Sequence, residues 1–146
     1  MTSKDMDLAE KLTLRRARVS IVSGVFFLTT MATSLGVDLP ASRPETVKLA
    51  AWVVWAAALL FLLAVGGGLF RGRNVRALMN DDSTVENRQR AMVKGFWAMV
   101  LSAFALYCIS LFEPISGREA IRLLLSAAIG ASVISFGILE RRSLQK

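Results

Sequence analysis

Residues 49–70 read LAAWVVWAAALLFLLAVGGGLF, twenty-two positions between Lys48 and Arg71 without one ionisable side chain. At ~1.5 Å per residue a helix of this length covers about 33 Å, close to the thickness of the hydrocarbon core of a bilayer. The run is apolar on all sides rather than along one stripe, as expected of a helix surrounded by lipid. Three more uncharged runs of similar length follow the same rule. They extend from Val19 to Val37, between Arg18 and Asp38; from Gly95 to Phe112, between Lys94 and Glu113; and from Leu123 to Leu139, between Arg122 and Glu140. The expected fold is therefore all-α: an integral membrane four-helix bundle forming one membrane domain over residues 1–146. Its spans fall at about 19–37, 49–70, 95–112 and 123–139.

The composition agrees. Apolar residues make up 54% of the 146 and charged residues 20%, with a mean hydropathy of +0.51; an ordinary soluble domain carries about a quarter charged residues. Eighteen Lys and Arg against eleven Asp and Glu leave a net charge of +7, and these charges cluster between the apolar runs. Fourteen of the basic residues lie in the N-terminal segment 1–18, the 71–94 loop and the tail from Arg141, whereas Arg43, Lys48, Arg118 and Arg122 lie in the other two connections. Because Lys and Arg collect on the cytoplasmic side, both termini and the 71–94 loop are expected there. Trp52, Trp55 and Tyr107 suit the outer interface and Trp97 the inner one. A cleaved signal peptide is the rival reading of the first run, since Ala32-Thr33-Ser34 supplies small residues after a basic and then apolar stretch. The expectation here is a retained span.

The chain contains no His, one Cys (Cys108) and one Tyr (Tyr107). A zinc site needs three or four ligands from Cys, His and carboxylates, and none are spaced for it; haem ligation finds no suitable set either. Without His no Ser-His-Asp or Cys-His arrangement can be assembled. No catalytic residues, metal site or cofactor are therefore expected, and Cys108 reads as a small filler within a membrane helix. The Gly66-Gly67-Gly68 run lacks the strand and the Lys-Ser/Thr of a phosphate loop. No Asp, Glu, Lys or Arg lies within the four spans, which argues against proton-coupled transport.

At an offset of 74, Pro40-Ala41-Ser42-Arg43-Pro44-Glu45-Thr46-Val47-Lys48-Leu49 aligns with Pro114-Ile115-Ser116-Gly117-Arg118-Glu119-Ala120-Ile121-Arg122-Leu123. Each contains Ser-x-x-Glu, a capping box in which the Ser oxygen accepts from the third helical amide and the Glu reaches back. Two duplicated helical hairpins and convergence on a common helix start both account for the match. A third box, Ser83-Thr84-Val85-Glu86, predicts a helix from Thr84 that runs without Gly or Pro into the third span and projects some two and a half turns beyond it. Hydroxyl residues in the spans read as packing glue, with a pore lining as the alternative. Along the fourth span Ser126, Gly130 and Gly137 present a small face for close helix packing, within the bundle or in a homo-oligomer.

The stretch Asn80-Asp81-Asp82-Ser83-Thr84-x-x-Asn87-Arg88-x-Arg90-Ala91-x-x-x-Gly95-Phe96-Trp97 resembles a pattern in small, uncharacterised bacterial inner-membrane proteins of four helices. In those proteins an acidic turn and an Arg-rich segment precede a membrane helix, and some are encoded beside helix-turn-helix regulators. The resemblance implies a prokaryotic inner membrane and membrane-linked regulation; it supplies no activity. The expected function is non-enzymatic, through protein or lipid contacts on the cytoplasmic face. Asp81, Asp82, Glu86, Arg88 and Arg90 are the candidate residues for a protein partner, and anionic headgroups are the expected lipid contact. No direct contact with nucleic acid is expected. The alternative is a homo-oligomeric channel or small-solute transporter.

Overall fold

The computed structural model describes residues 3–36, 45–65 and 82–143 and is helical throughout, with no strand among the described residues. Four helices follow in order: α1 (Ser3–Gly36), α2 (Glu45–Val65), α3 (Asp82–Ser110) and α4 (Gly117–Ser143). The basic segment ahead of the first apolar run is helical and continuous with it. It is the first half of a single 34-residue helix, about 51 Å long. Within the described residues α2, α3 and α4 are long and apolar enough to cross a membrane.

Helix ends follow local chemistry. Ser116 and Glu119 form the expected reciprocal cap: the Glu119 amide donates to Ser116 Oγ at 3.3 Å, while the Ser116 amide and hydroxyl donate to Glu119 Oε2 at 3.3 and 2.8 Å. These bonds satisfy amides that the first turn of α4 leaves without carbonyl partners. The matching Ser42 lies outside the described residues, as do Gly66-Gly67-Gly68 and Asp81, so only the second of the two aligned turns can be followed. α3 starts at Asp82, two residues before the expected Thr84, which places Ser83 inside the first turn. Glu86 turns forward to Arg90 at 2.6 Å rather than back to Ser83, because an i,i+4 pair on the helix surface competes for the same carboxylate. At its other end α3 stops at Ser110, where the Phe112 and Glu113 amides both donate to the Ile109 carbonyl and close the helix in a turn.

The helices alternate in direction. Residues near the start of α1 meet the end of α4, those near the start of α3 meet the end of α4, and the end of α2 meets the start of α3. α4 is the central helix: it packs along both α1 and α3 and touches α2 more lightly. Small side chains permit this. A Cβ on Gly137 would stand 2.7 Å from the Ala17 carbonyl oxygen, and one on Gly95 would stand 2.7 Å from that of Ala128. Gly130 receives the Leu28 side chain, and Ser126 is buried on the same helix. Ser126, Gly130 and Gly137 thus face neighbours within the chain.

Two apolar clusters fill the spaces between helices. Phe27, Ala56, Leu59, Ile129 and Val133 form one, flanked by Trp52 and Trp55; Leu63, Ala91 and Phe136 form the other, flanked by Leu139. By contrast, the outer side of α3 is bare, with Trp97, Leu101 and Phe104 well exposed, as are Leu111 and Phe112 in the turn after it. Gly137→Ala is expected to lower stability in mild detergent by about 1–3 kcal/mol, since the Ala17 backbone must retreat. Gly117→Ala, with nothing within 4 Å of the added carbon, is the control, and equal unfolding curves for the two variants would contradict the tight α1–α4 crossing.

Candidate functional site: a buried ion pair at the basic end

The alternating helix directions gather the start of α1, the end of α2, the start of α3 and the end of α4 at one end of the bundle. Arg15, Arg16, Arg18, Arg88, Arg90, Lys94, Arg141 and Arg142 all belong to these segments. At their centre Arg16 of α1 forms an ion pair with Glu140 of α4, Nη2 to Oε2, with side-chain exposures of only 5% and 1%. The same Nη2 lies 3.5 Å from Thr84 Oγ1 on α3, and the guanidinium sits 5.5 Å from the centre of the Phe136 ring. Three helices are therefore joined through one side chain.

α2 is attached by a different device. Arg88, which is half-buried, donates Nη1 to the Ala64 carbonyl at 2.5 Å. That carbonyl belongs to the last turn of α2, whose oxygens have no partner within the helix, so a cation there satisfies both hydrogen bonding and the helix dipole. Of the residues expected to meet a partner, Arg88 is therefore engaged inside the chain. Glu86 and Arg90 form an exposed pair on the projecting start of α3, 58% and 63% exposed. Asp82 is the first residue of α3, and Asp81 lies outside the described residues.

Two buried oxygens near this end have no hydrogen-bond partner: Glu140 Oε1 and Ser20 Oγ, one turn of α1 beyond Arg16. Enclosing two charged side chains is costly, and their close pairing with the Thr84 contact offsets that cost. The arrangement balances charge and holds helices. It contains no nucleophile paired with a base, and among the described residues no group of three His, Cys, Asp or Glu could hold a metal ion.

The opposite end carries a second polar contact. Trp52 Nε1 donates to Ser126 Oγ at 3.0 Å, Ser126 Oγ donates back to the Arg122 carbonyl at 2.7 Å, and the Arg122 guanidinium lies 6.0 Å from the Trp52 ring centre. α2 and α4 are thus linked at both ends of the bundle, directly here and through α3 at the basic end.

The sequence reading missed Arg16, Glu140 and Thr84. A usable signal was present: Ser126, Gly130, Val133, Gly137 and Glu140 repeat at four- and three-residue steps, so Glu140 continues the small, inward face of α4. Its charge placed it outside the span, and its face went unread. Compared with protein-family models, with curated proteins and with solved structures, the chain finds no match.

Removing one partner of a buried pair strands the other charge and typically costs about 3–5 kcal/mol, whereas replacing both with apolar residues is often near neutral. Glu140→Ala is therefore expected to lower stability in detergent by that amount, and Arg16→Met combined with Glu140→Leu to restore most of it. A double variant as unstable as Glu140→Ala would mean that the Arg16 contacts to the Thr84 hydroxyl and the Phe136 ring, not charge compensation, hold this end.

Proposed function

We propose that this chain is a non-enzymatic protein of a bacterial inner membrane that crosses the bilayer four times. Both of its ends lie in the cytoplasm, and it acts by presenting its basic end to a cytoplasmic protein partner and to anionic lipid. The observation that carries this reading is the fixed geometry of that end. Arg16, Glu140 and Thr84 hold three helices together, Arg88 holds the fourth, and the start of α3 stands out with the exposed Glu86–Arg90 pair. A surface held in this way is already organised before a partner arrives, which lowers the ordering cost of binding.

Other features support the membrane part of the reading. The bare side of α3 has the apolar character of a lipid-facing surface. The uncharged second half of α1, from Val19 to Gly36, is long enough to serve as the fourth span beside the three others. The hydroxyls of Thr29, Thr30, Ser126 and Ser132 donate to carbonyls four residues earlier on their own helices. That is the packing use of such side chains, and it favours a non-conducting bundle over a channel. The resemblance of residues 80–97 to bacterial inner-membrane proteins adds membrane-linked regulation as the role such a surface serves.

Topology is tested with single cysteines in a Cys108→Ser background. Gln89→Cys is expected to resist a membrane-impermeant thiol reagent on intact cells and Gly117→Cys to react; the reverse pattern overturns the orientation. Partner binding is tested by Arg90→Glu, which breaks an exposed pair and leaves the buried contacts intact. A cross-linked partner is expected with the unaltered chain and is lost in this variant, while the amount of membrane-inserted protein stays constant. Unchanged cross-linking would remove the start of α3 from the binding surface.

A further inference from the structure

Beside the buried pair, on the outer side of α1 and α4, lies a cavity of about 310 Å³ lined by Leu14, Arg18, Ile21, Val22 and Arg141. Its four α1 residues stand at steps of four, three and one, so they share one face of the helix. Arg18 and Arg141 are exposed, and neither makes an ion pair or hydrogen bond among the described residues. Glu140, beside Arg141 in sequence, is committed to Arg16, and Glu10 stands two turns before Arg18 on α1, outside the lining. Two guanidiniums from different helices thus line one cavity, with Leu14 one turn before Arg18 on α1. Ile21 and Val22 extend its wall by about one turn toward the apolar half of α1.

We infer that this groove is a binding site for one anionic phospholipid, with the phosphate between Arg18 and Arg141 and an acyl chain along Ile21 and Val22. The inference rests on the membrane reading above, which puts this turn of α1 at headgroup depth. The chemistry is specific. A guanidinium presents a planar fork of donors matched to phosphate oxygens, and two such forks from different helices accept one phosphate without neutralising carboxylates nearby. From Arg18 toward the apolar half of α1 the lining turns aliphatic, in the order of headgroup and acyl chain in a phospholipid, while Leu14 borders the arginine on the side away from the bilayer centre. A free phosphate ion would use the arginines and leave Ile21 and Val22 without a role. The groove differs from the general basic girdle in having an apolar wall and in drawing on only two of the basic residues at this end.

Native mass spectrometry of the full chain in mild detergent provides the test, with phosphatidylglycerol, phosphatidylcholine and inorganic phosphate added separately. Phosphatidylglycerol is expected to be retained over phosphatidylcholine. Arg18→Gln combined with Arg141→Gln is expected to weaken that retention about 30-fold, from roughly a factor of five per cation at the surface. Arg142→Gln, which removes a neighbouring charge outside the groove, is expected to have little effect. Val22→Trp is the charge-neutral check: by filling the apolar wall it is expected to weaken phosphatidylglycerol retention too. Equal losses for Arg142→Gln and the double variant would assign the affinity to the girdle and overturn the site. Displacement of the lipid by inorganic phosphate at equal concentration, or no effect of Val22→Trp, would overturn a lipid occupant. Alkaline carbonate extraction is run in parallel. Release of the chain from membranes would refute the membrane reading and the inference with it, whereas an inserted chain with unselective lipid retention would refute the inference alone.

Discussion

Arg16 and Glu140 are 124 positions apart in the sequence and in direct contact in the fold. Enclosing two charges is costly, and only close pairing with further polar contacts offsets that cost. The pair therefore constrains its surroundings: α1 and α4 must run antiparallel, and they must meet in one register. A slip by one turn would part the charges within a dry interior and shift Ala17, Ile21 and Leu28 off the glycines that make room for them. Hydrophobic packing supplies adhesion here, and the ion pair supplies alignment.

The close helix approaches follow from that alignment. With Arg16 set against Glu140, Ala17 and Ile21 fall on Gly137, Ile134 falls on Gly24, and Leu28 falls on Gly130. Each glycine lies where a neighbouring helix would otherwise collide with a side chain. On the other side of α4 the same logic brings Gly95 against Ala128 and Ser132, and Thr84, some three turns earlier on α3, reaches the guanidinium. α4 can serve two neighbours because its small residues are spread over two faces.

Helix number and the capping of α4 were legible in the sequence, because both depend on local features: the length of uncharged runs and the Ser116-x-x-Glu119 pattern. The small face of α4 was legible for the same reason. What escaped was the pairing across helices. Arg16 belongs to a basic cluster with Lys11, Arg15 and Arg18, and nothing local marks it as the one that turns inward; only its register with Ser20, Phe27 and Met31, all buried on the same side of α1, separates it. Arg88 was equally ambiguous. Its position among polar residues suggested a surface role, and its bond to the Ala64 carbonyl depends on where α2 ends in space. In both cases the missing information was tertiary.

The central position of α4 has a consequence for assembly. Each helix closes its own ladder of backbone hydrogen bonds and needs no neighbour to complete it. Yet the helix against which α1 and α3 pack is the last of the four to be synthesised. Until it emerges, Arg16 has no carboxylate, Gly95 has no opposing backbone, and α1 has no partner for most of its inward side. The most extensive contacts of α1 and α3 are therefore among the last that the growing chain can make. A chain arrested before residue 117 would keep the Arg88–Ala64 link and the contact of Phe26 and Phe27 with Trp55, and would lack the helix along which α1 and α3 are aligned.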